Sequence, residues 1–217
     1  MSPRRTLLEP EEVQAVRAAV AAAEAASGAE IVPVLVAAVD SHEEALWKGA
    51  LIGALAGALA GAVELAGHAA WAPPGLRVLL PVTAGALVGG ALAWWPPLRR
   101  LLVGRARLEA QVERAAREAF LAHEVFATRD RTGLLIFVAL FERSVAVVAD
   151  SGVHAAVPAE QWQVLAQSVA REMSTGSPAR ALLAAVERAG AVVGAQGPRR
   201  RSDDVNELPD APIVGPG

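Results

Sequence analysis

The sequence predicts an α/β domain interrupted by a two-helix transmembrane hairpin. Three observations carry this reading. Two uncharged apolar runs, Gly49 to Val63 and Val78 to Trp95, stand in the middle of the chain. Strand-like segments lie on both sides of them, at Ile31–Val39 and at Leu134–Ala149. Amphipathic helical patterns fill most of the remainder.

Composition sets outer limits. Of 217 residues, 53% are hydrophobic and 20% charged. The mean hydropathy is +0.36. The net charge of -3 gives no basic excess, so nucleic acid is not an expected partner. There are no cysteines, which excludes disulfides, thiolate metal sites and a cysteine nucleophile. Arg4 and Arg5 lead into Leu-Leu-Glu-Pro-Glu-Glu rather than an apolar core, so no signal peptide is expected.

Glu9-Pro10-Glu11-Glu12 opens the first helix, where a proline and acids suit the free N–H groups and the dipole. Val13, Val16, Val20 and Ala23 form its apolar stripe, and Ser27-Gly28 ends it. Ile31–Val39 is a strand. Pro33 places part of it on an edge or at a bulge.

The first span runs from Trp47 to Gly67 and the second from Arg77 to Trp95, each near the roughly 20 residues a helix needs to cross a bilayer. Pro73-Pro74-Gly75 lies in the loop between them and signals a turn, so the helices are antiparallel. Trp47 and Trp94-Trp95 then meet at one interface, with Trp71 at the other. Neither run has the charged stripe of a soluble helix. Lys48, Arg99, Arg100, Arg105 and Arg107 lie on the side of the termini, and Arg77 on the loop side. The positive-inside rule therefore puts both termini and the α/β domain in the cytoplasm, with the spans in a cell's inner membrane. Gly49, Gly53, Gly57 and Gly61 line one face of the first span, and Gly85 and Gly89 offer a matching surface on the second. Packing within the hairpin is the simpler use of that face. A homo-oligomer or a contact with another membrane protein is the sharper one.

After the hairpin, Arg105 to Arg129 reads as one long amphipathic helix, with Leu108, Val112, Ala115, Ala119 and Phe126 inward. Leu134–Phe141 is apolar throughout, as for a strand covered on both faces. Glu142-Arg143 turns the chain into a strand at Ser144–Ala149, which Asp150-Ser151-Gly152 ends. Helices follow from Pro158 to Met173 and from Pro178 to about Val193. The tail, 196–217, has the composition of a disordered segment. The expected organisation is a split domain, 1–45 and 99–195, around a hairpin at 46–98. Neither flank has enough strands to build a sheet alone.

The pattern resembles the TPM domain family. The resemblance rests on Ser-Gly-Ala-Glu-Ile-Val-Pro-Val-Leu-Val (27–36), on Arg131 through His154, on the two closing helices and on Asn-Glu-Leu-Pro-Asp-Ala-Pro-Ile-Val (206–214). That tail resembles the end of a bacterial subgroup with a membrane hairpin inside the domain. The resemblance implies an α/β/α sandwich around a small mixed sheet. It also implies divalent metal in an acidic loop cluster in some relatives, and acid phosphatase activity in chloroplast relatives. An animal relative is an accessory of a receptor channel. Two departures bear on the chemistry: Arg131-Thr132-Gly133 stands where the family has Asp-Asn-Gly, and Asp150-Ser151-Gly152 where it has Gly-Tyr-Gly. The lost acid and the gained arginine argue against metal and phosphatase chemistry here.

Four residues are candidates for a functional rim: Asp150 and His154 at one end of a strand, and Glu142 and Arg143 at its other end. A carboxylate and an imidazole could act as acid and base. The plainer alternative is a turn-capping Asp, a solvated His and a polar hairpin turn. His123 falls on the Ala119 face of the long helix and reads as a half-buried structural histidine. His42 with Glu43 and Glu44 lacks zinc-motif spacing. No phosphate loop, dinucleotide fingerprint, nucleophile elbow or zincin motif occurs. No cofactor is expected. The leading expectation is a membrane-anchored interaction or accessory module for another membrane protein. A phosphate-ester hydrolase, by family analogy, and a self-associating structural protein are the alternatives.

Overall fold

A computed structural model describes residues 7–67, 73–173, 176–201, 203 and 205–215. Its elements run α1 (Pro10–Ala25), β1 (Glu30–Val36), α2 (Glu44–Ala66), α3 (Pro74–Leu92), α4 (Pro96–Val103), α5 (Arg105–Ala122), β2 (Gly133–Ala139), β3 (Ser144–Ala149), α6 (Ser151–His154), α7 (Ala159–Glu172), α8 (Pro178–Gln196) and β4 (Ile213–Gly215). Two units divide them. One comprises Met1–Asp40 with Glu109–Gly217, the other Ser41–Leu108.

The first unit is built on a mixed sheet of order β3-β2-β1-β4. β1 pairs in parallel with β2 from Glu30↔Gly133 to Val36↔Ala139, and in parallel with β4 at Val34↔Ile213 to Val36↔Gly215. β2 and β3 are antiparallel. Successive residues of a strand face opposite sides, and both sides are apolar here. Ile31, Leu35, Leu134, Ile136 and Val138 join Val16 and Val20 of α1, Leu165 of α7 and Leu182 of α8 in one core. Val32, Val34, Leu135 and Phe137 join Val112 and Ala116 of α5 in the other. The result is an α/β/α sandwich around a small mixed sheet.

Pro33 finds a place where no donor is missed. Glu30 N–H donates to Thr132 O and Leu140 N–H to Val36 O, so even-numbered β1 residues bond towards β2. Odd-numbered residues face the β4 side. There Ile31 N–H donates to the Glu24 carboxyl at 2.8 Å. Pro33 follows on that side, just before the register with β4 begins.

The tail departs from its expected disorder. It returns to the sheet, and β4 adds a fourth strand to β1. Its Arg, Asp and Pro content hid a short apolar end, Ile213-Val214, which the open side of β1 accepts. Ion pairs hold the intervening segment, as described below.

α5 stops at Ala122, short of the expected Arg129. Glu124 takes a left-handed φ of 51°. Val125 N–H donates to Phe120 O and Glu124 N–H to Leu121 O, the paired bonds of a Schellman cap. The signal was silent because the left-handed position holds Glu instead of Gly. His123 is consequently exposed at the helix end and not half-buried.

In the second unit α2 and α3 pack antiparallel through their glycines. A Cβ at Gly53 would lie 1.9 Å from Gly85 O, and one at Gly89 would lie 2.1 Å from Gly49 O. Gly57 meets Pro81 O and Gly61 meets Arg77 O in the same register. This close approach uses the glycine face within the hairpin. What α2 and α3 leave outward is apolar: Leu55, Leu59 and Val63 on one, Leu79, Leu80 and Leu87 on the other are all exposed. Both helices are long and apolar enough to cross a membrane, with mean hydropathy 1.7 and 1.6. Only 17% and 6% of their apolar windows is buried, unlike the core helix of a soluble protein. Thr83 hides its hydroxyl by donating to Leu79 O at 2.9 Å. The expected loop tryptophan, Trp71, lies outside the described residues, as do Arg4 and Arg5. α4 was not foreseen.

The left-handed Glu124 yields a test. Glu124→Gly relieves the Cβ clash of that conformation and should stabilise the protein by roughly 1 kcal/mol. Thermal unfolding of the full-length protein in detergent would read it as a higher Tm.

Candidate functional site

The charged residues of the first unit gather where β1 and β2 begin and β3 ends. The loop before β2 is shaped by Thr128, whose hydroxyl accepts from Thr132 N–H at 2.9 Å and whose carbonyl accepts from Arg131 N–H. Arg131 is left-handed there, at φ 57°. Its guanidinium lies 5.6 Å from the Phe126 ring centroid and donates to Phe126 O at 3.2 Å. Those contacts hold it against Asp150, with Nε 3.0 Å from Oδ2.

Asp150 is 7% exposed. Its Oδ1 accepts from Ser151 N–H at 2.7 Å, capping α6. Its Oδ2 is held by the Arg131 charge without the alignment of a hydrogen bond. Gly152 allows the two loops to meet: a Cβ there would stand 2.5 Å from Asp130 O, and its N–H donates to Arg131 O at 2.9 Å.

The tail crosses this end. Arg201 pairs with Asp203 at 2.8 Å and with Asp130 at 3.4 Å. Arg129 pairs with Asp203 at 3.2 Å, and its N–H donates to Glu207. The hydrogen bond from Arg201 holds the Asp203 carboxyl below the usual range, and Asp203 raises Arg201 in return. Gly28 N–H donates to Pro198 O at 2.7 Å and Leu208 N–H to the Glu30 carboxylate at 3.3 Å.

Beside it, Glu24, Glu30, Arg200, Asn206 and Asp210 line a polar cavity of about 190 Å³. Burial pushes the Glu24 carboxyl up to about 8, against the lowering effect of the Ile31 N–H bond. Glu30 and Asp210 raise it further, and Arg200 opposes them.

The four rim candidates form two separate places. Asp150 and His154 share α6, but His154 is exposed while the Asp150 carboxylate faces Ser151 N–H and Arg131. Glu142 and Arg143 lie at the opposite end of β3. Glu142 is no solvated turn residue: it is 5% exposed and its Oε1 accepts from Val39 N–H at 2.9 Å, tying the β2–β3 turn to the chain leaving β1. Arg143 is exposed and left-handed, at φ 49°. His42 is buried at the start of the second unit. Sequence reasoning missed Glu24, whose only signal is an acid late in an alanine-rich helix, and the arginines of the tail.

Residues 103–192 match the model of the TPM domain. That segment of the chain is similar to the TPM domain. A solved structure, the NMR structure of the BA42 protein from the psychrophilic bacterium Bizionia argentinensis, is similar with a TM-score of 0.57 and 17% identity. The alignment covers 99% of this chain and 100% of that one. At that identity the likeness concerns the fold. No curated protein matches the chain.

The acidic loop cluster that the TPM resemblance implies for metal does not fit an ion here. Its carboxylates, Asp130 and Asp150, are each occupied by a guanidinium, Arg201 and Arg131. A divalent ion would have to displace both cations. Among the described residues no cluster of three or more His or acidic side chains is placed to hold one.

Two outcomes follow. Arg131→Asp combined with Arg201→Gln removes both cations and should create a calcium site, with stabilisation of about 2.7 kcal/mol at a concentration about 100 times Kd. Thermal unfolding with and without calcium reads this, and the unaltered protein should show no shift. Glu24 supplies the second. Its carboxyl holds its proton to about pH 8 when folded and to about 4.5 when unfolded. The folded state therefore binds more protons between those values, so stability is greatest below about 4.5 and falls as pH rises to about 8. Glu24→Gln should flatten that fall in Tm across the window.

Proposed function

We propose that this protein is a membrane-anchored TPM domain that acts as an accessory or interaction module for another membrane protein. The observation that carries the reading is the Arg131–Asp150 pair. It engages the rim carboxylate that stands beside a histidine, which favours binding over acid–base chemistry as the use of the domain. On this reading α2 and α3 cross an inner membrane. Their antiparallel packing returns the chain to the face it left, and the excess of Lys and Arg near residues 41–48 and 99–107 makes that face cytoplasmic.

A surface suited to a protein partner lies between α7 and α8. It is an open, largely apolar groove of about 470 Å³, lined by Val164, Leu165, Ala191 and Val192, with Glu160 and Arg188 at its rim. Val164 is 66% exposed there. Arg188 is fixed by Ser168 and Glu172, so the groove is preorganised.

Affinity purification of the full-length protein from its native membrane in mild detergent tests the reading. A stoichiometric membrane-protein partner should be retained, and Val164→Asp should reduce its recovery about tenfold, a loss of roughly 1.4 kcal/mol. Recovery of the protein alone, together with phosphate-ester hydrolysis lost on Asp150→Ala, would replace this reading with the hydrolase.

A further inference from the structure

The chain leaving the second span does not run straight into α5. After α3 it turns through Trp94 and Trp95, and Pro96-Pro97 start α4, with prolines where a helix needs no N–H donor. Gly104, at φ 90°, ends it after eight residues. At 100° per residue, Pro97, Leu98, Leu101 and Leu102 share one sector of α4, and Arg99 and Arg100 share the opposite one with the buried Val103 between them. Leu102 and Val103 pack with Ala45 and Leu108. Leu101 is left 75% exposed.

Three basic side chains beside α4 are engaged within their own unit. Lys48 Nζ donates to Leu102 O at 2.8 Å, a cation on the free carbonyls of the helix C-terminus. Arg99 donates to Ser41 O. Arg107 pairs with Glu44 at 2.8 Å. The same end of the hairpin exposes Trp47 at 76%, Trp94 at 70% and Trp95 at 64%. So large an apolar and indole surface beside a row of cations has one natural solvent. Indole rings favour the headgroup level, and a short helix with opposed apolar and basic sectors lies in the interface plane.

We propose that α4 is an interfacial helix that binds anionic phospholipid. Leu101 and the three tryptophans enter the acyl boundary, and Arg100 with Arg105 takes lipid phosphate in addition to the contacts each makes within the chain. The charge is complementary, since cations beside a membrane favour anionic headgroups, and the surface is continuous with the outward apolar faces of α2 and α3. This inference rests on the reading of those helices as membrane spans.

The test uses full-length protein reconstituted in vesicles of equal phosphatidylcholine and phosphatidylglycerol. Lipid retained on detergent extraction is identified by native mass spectrometry, and insertion is checked by flotation after an alkaline carbonate wash. Unaltered protein should float and retain phosphatidylglycerol over phosphatidylcholine by about tenfold. Arg100→Gln with Arg105→Gln should float equally and retain the two lipids about equally, while Arg100→Lys with Arg105→Lys keeps the preference. Floating protein with no preference for phosphatidylglycerol would overturn the lipid assignment alone. Protein stripped by carbonate would overturn the spans, and the lipid site with them.

Discussion

The parallel pairing of β1 with β2 is the constraint on which the domain depends. Strand residues 30–36 meet residues 133–139, so the chain must travel about a hundred positions and return in the same direction. Parallel neighbours cannot be joined by a tight turn. The crossover ends in α5, whose Val112 and Ala116 cover the sheet face that Val32, Val34, Leu135 and Phe137 present. Neither half of the sequence could bury its strands without the other. The second unit stands inside this crossover, and its tolerance there has a physical reason. Antiparallel helices with glycines in contact bring the chain back to the end at which it departed. Closure entropy grows only with the logarithm of loop length, so the long insertion costs little once its own packing is satisfied.

The same topology assembles the charged end of the sheet. β1 and β2, being parallel, begin together, and antiparallel β3 ends beside them. The loops at 128–132 and 150–154 and the returning tail therefore meet at one edge. Only the tail's length beyond α8 lets Arg201 reach Asp130 while β4 still pairs with β1. Individually such half-exposed pairs contribute little. Joined through Arg129, Asp203 and Glu207, they set the path along which the tail approaches the sheet.

Much of the fold was legible in particular residues. The continuous apolar run at 134–139 declared a strand buried on both faces, and Pro33 declared an open side of β1. Uncharged runs between Lys48 and Arg99 declared the hairpin, and the four-residue spacing of its glycines declared a contact face. Illegible features share a cause: the deciding interaction lies outside the local pattern. Glu124 ends α5 in a conformation that sequence rules reserve for Gly. The tail is polar by composition, and its strand exists because β1 offers unpaired groups to residues about 180 positions away. Glu142 looked like a hairpin turn because its acceptor role involves Val39, which is remote in sequence. The candidate rim was half legible. Arg131 was recognised as a departure, but its stacking on Phe126 and its pairing with Asp150 required the loop to fold back on itself.

A guanidinium and an exchangeable ion differ in what a site closed by them can sense. A bound metal stabilises in proportion to the logarithm of its concentration, so a metal-closed loop cluster reports on the surrounding ion level. Arginines attached to the chain are always charged at physiological pH and have an effective concentration that no external level alters. Arg131 and Arg201 hold Asp150 and Asp130 in that way at the end of the sheet. The group beside it that still responds to its surroundings is Glu24, held protonated to about pH 8 by burial and by its neighbours Glu30 and Asp210. Asp210 belongs to the tail and Glu30 to β1, so ionisation of Glu24 acts on both partners of the β1–tail contact at once. The charged groups at this end of the sheet are turned on one another, and they fasten a strand.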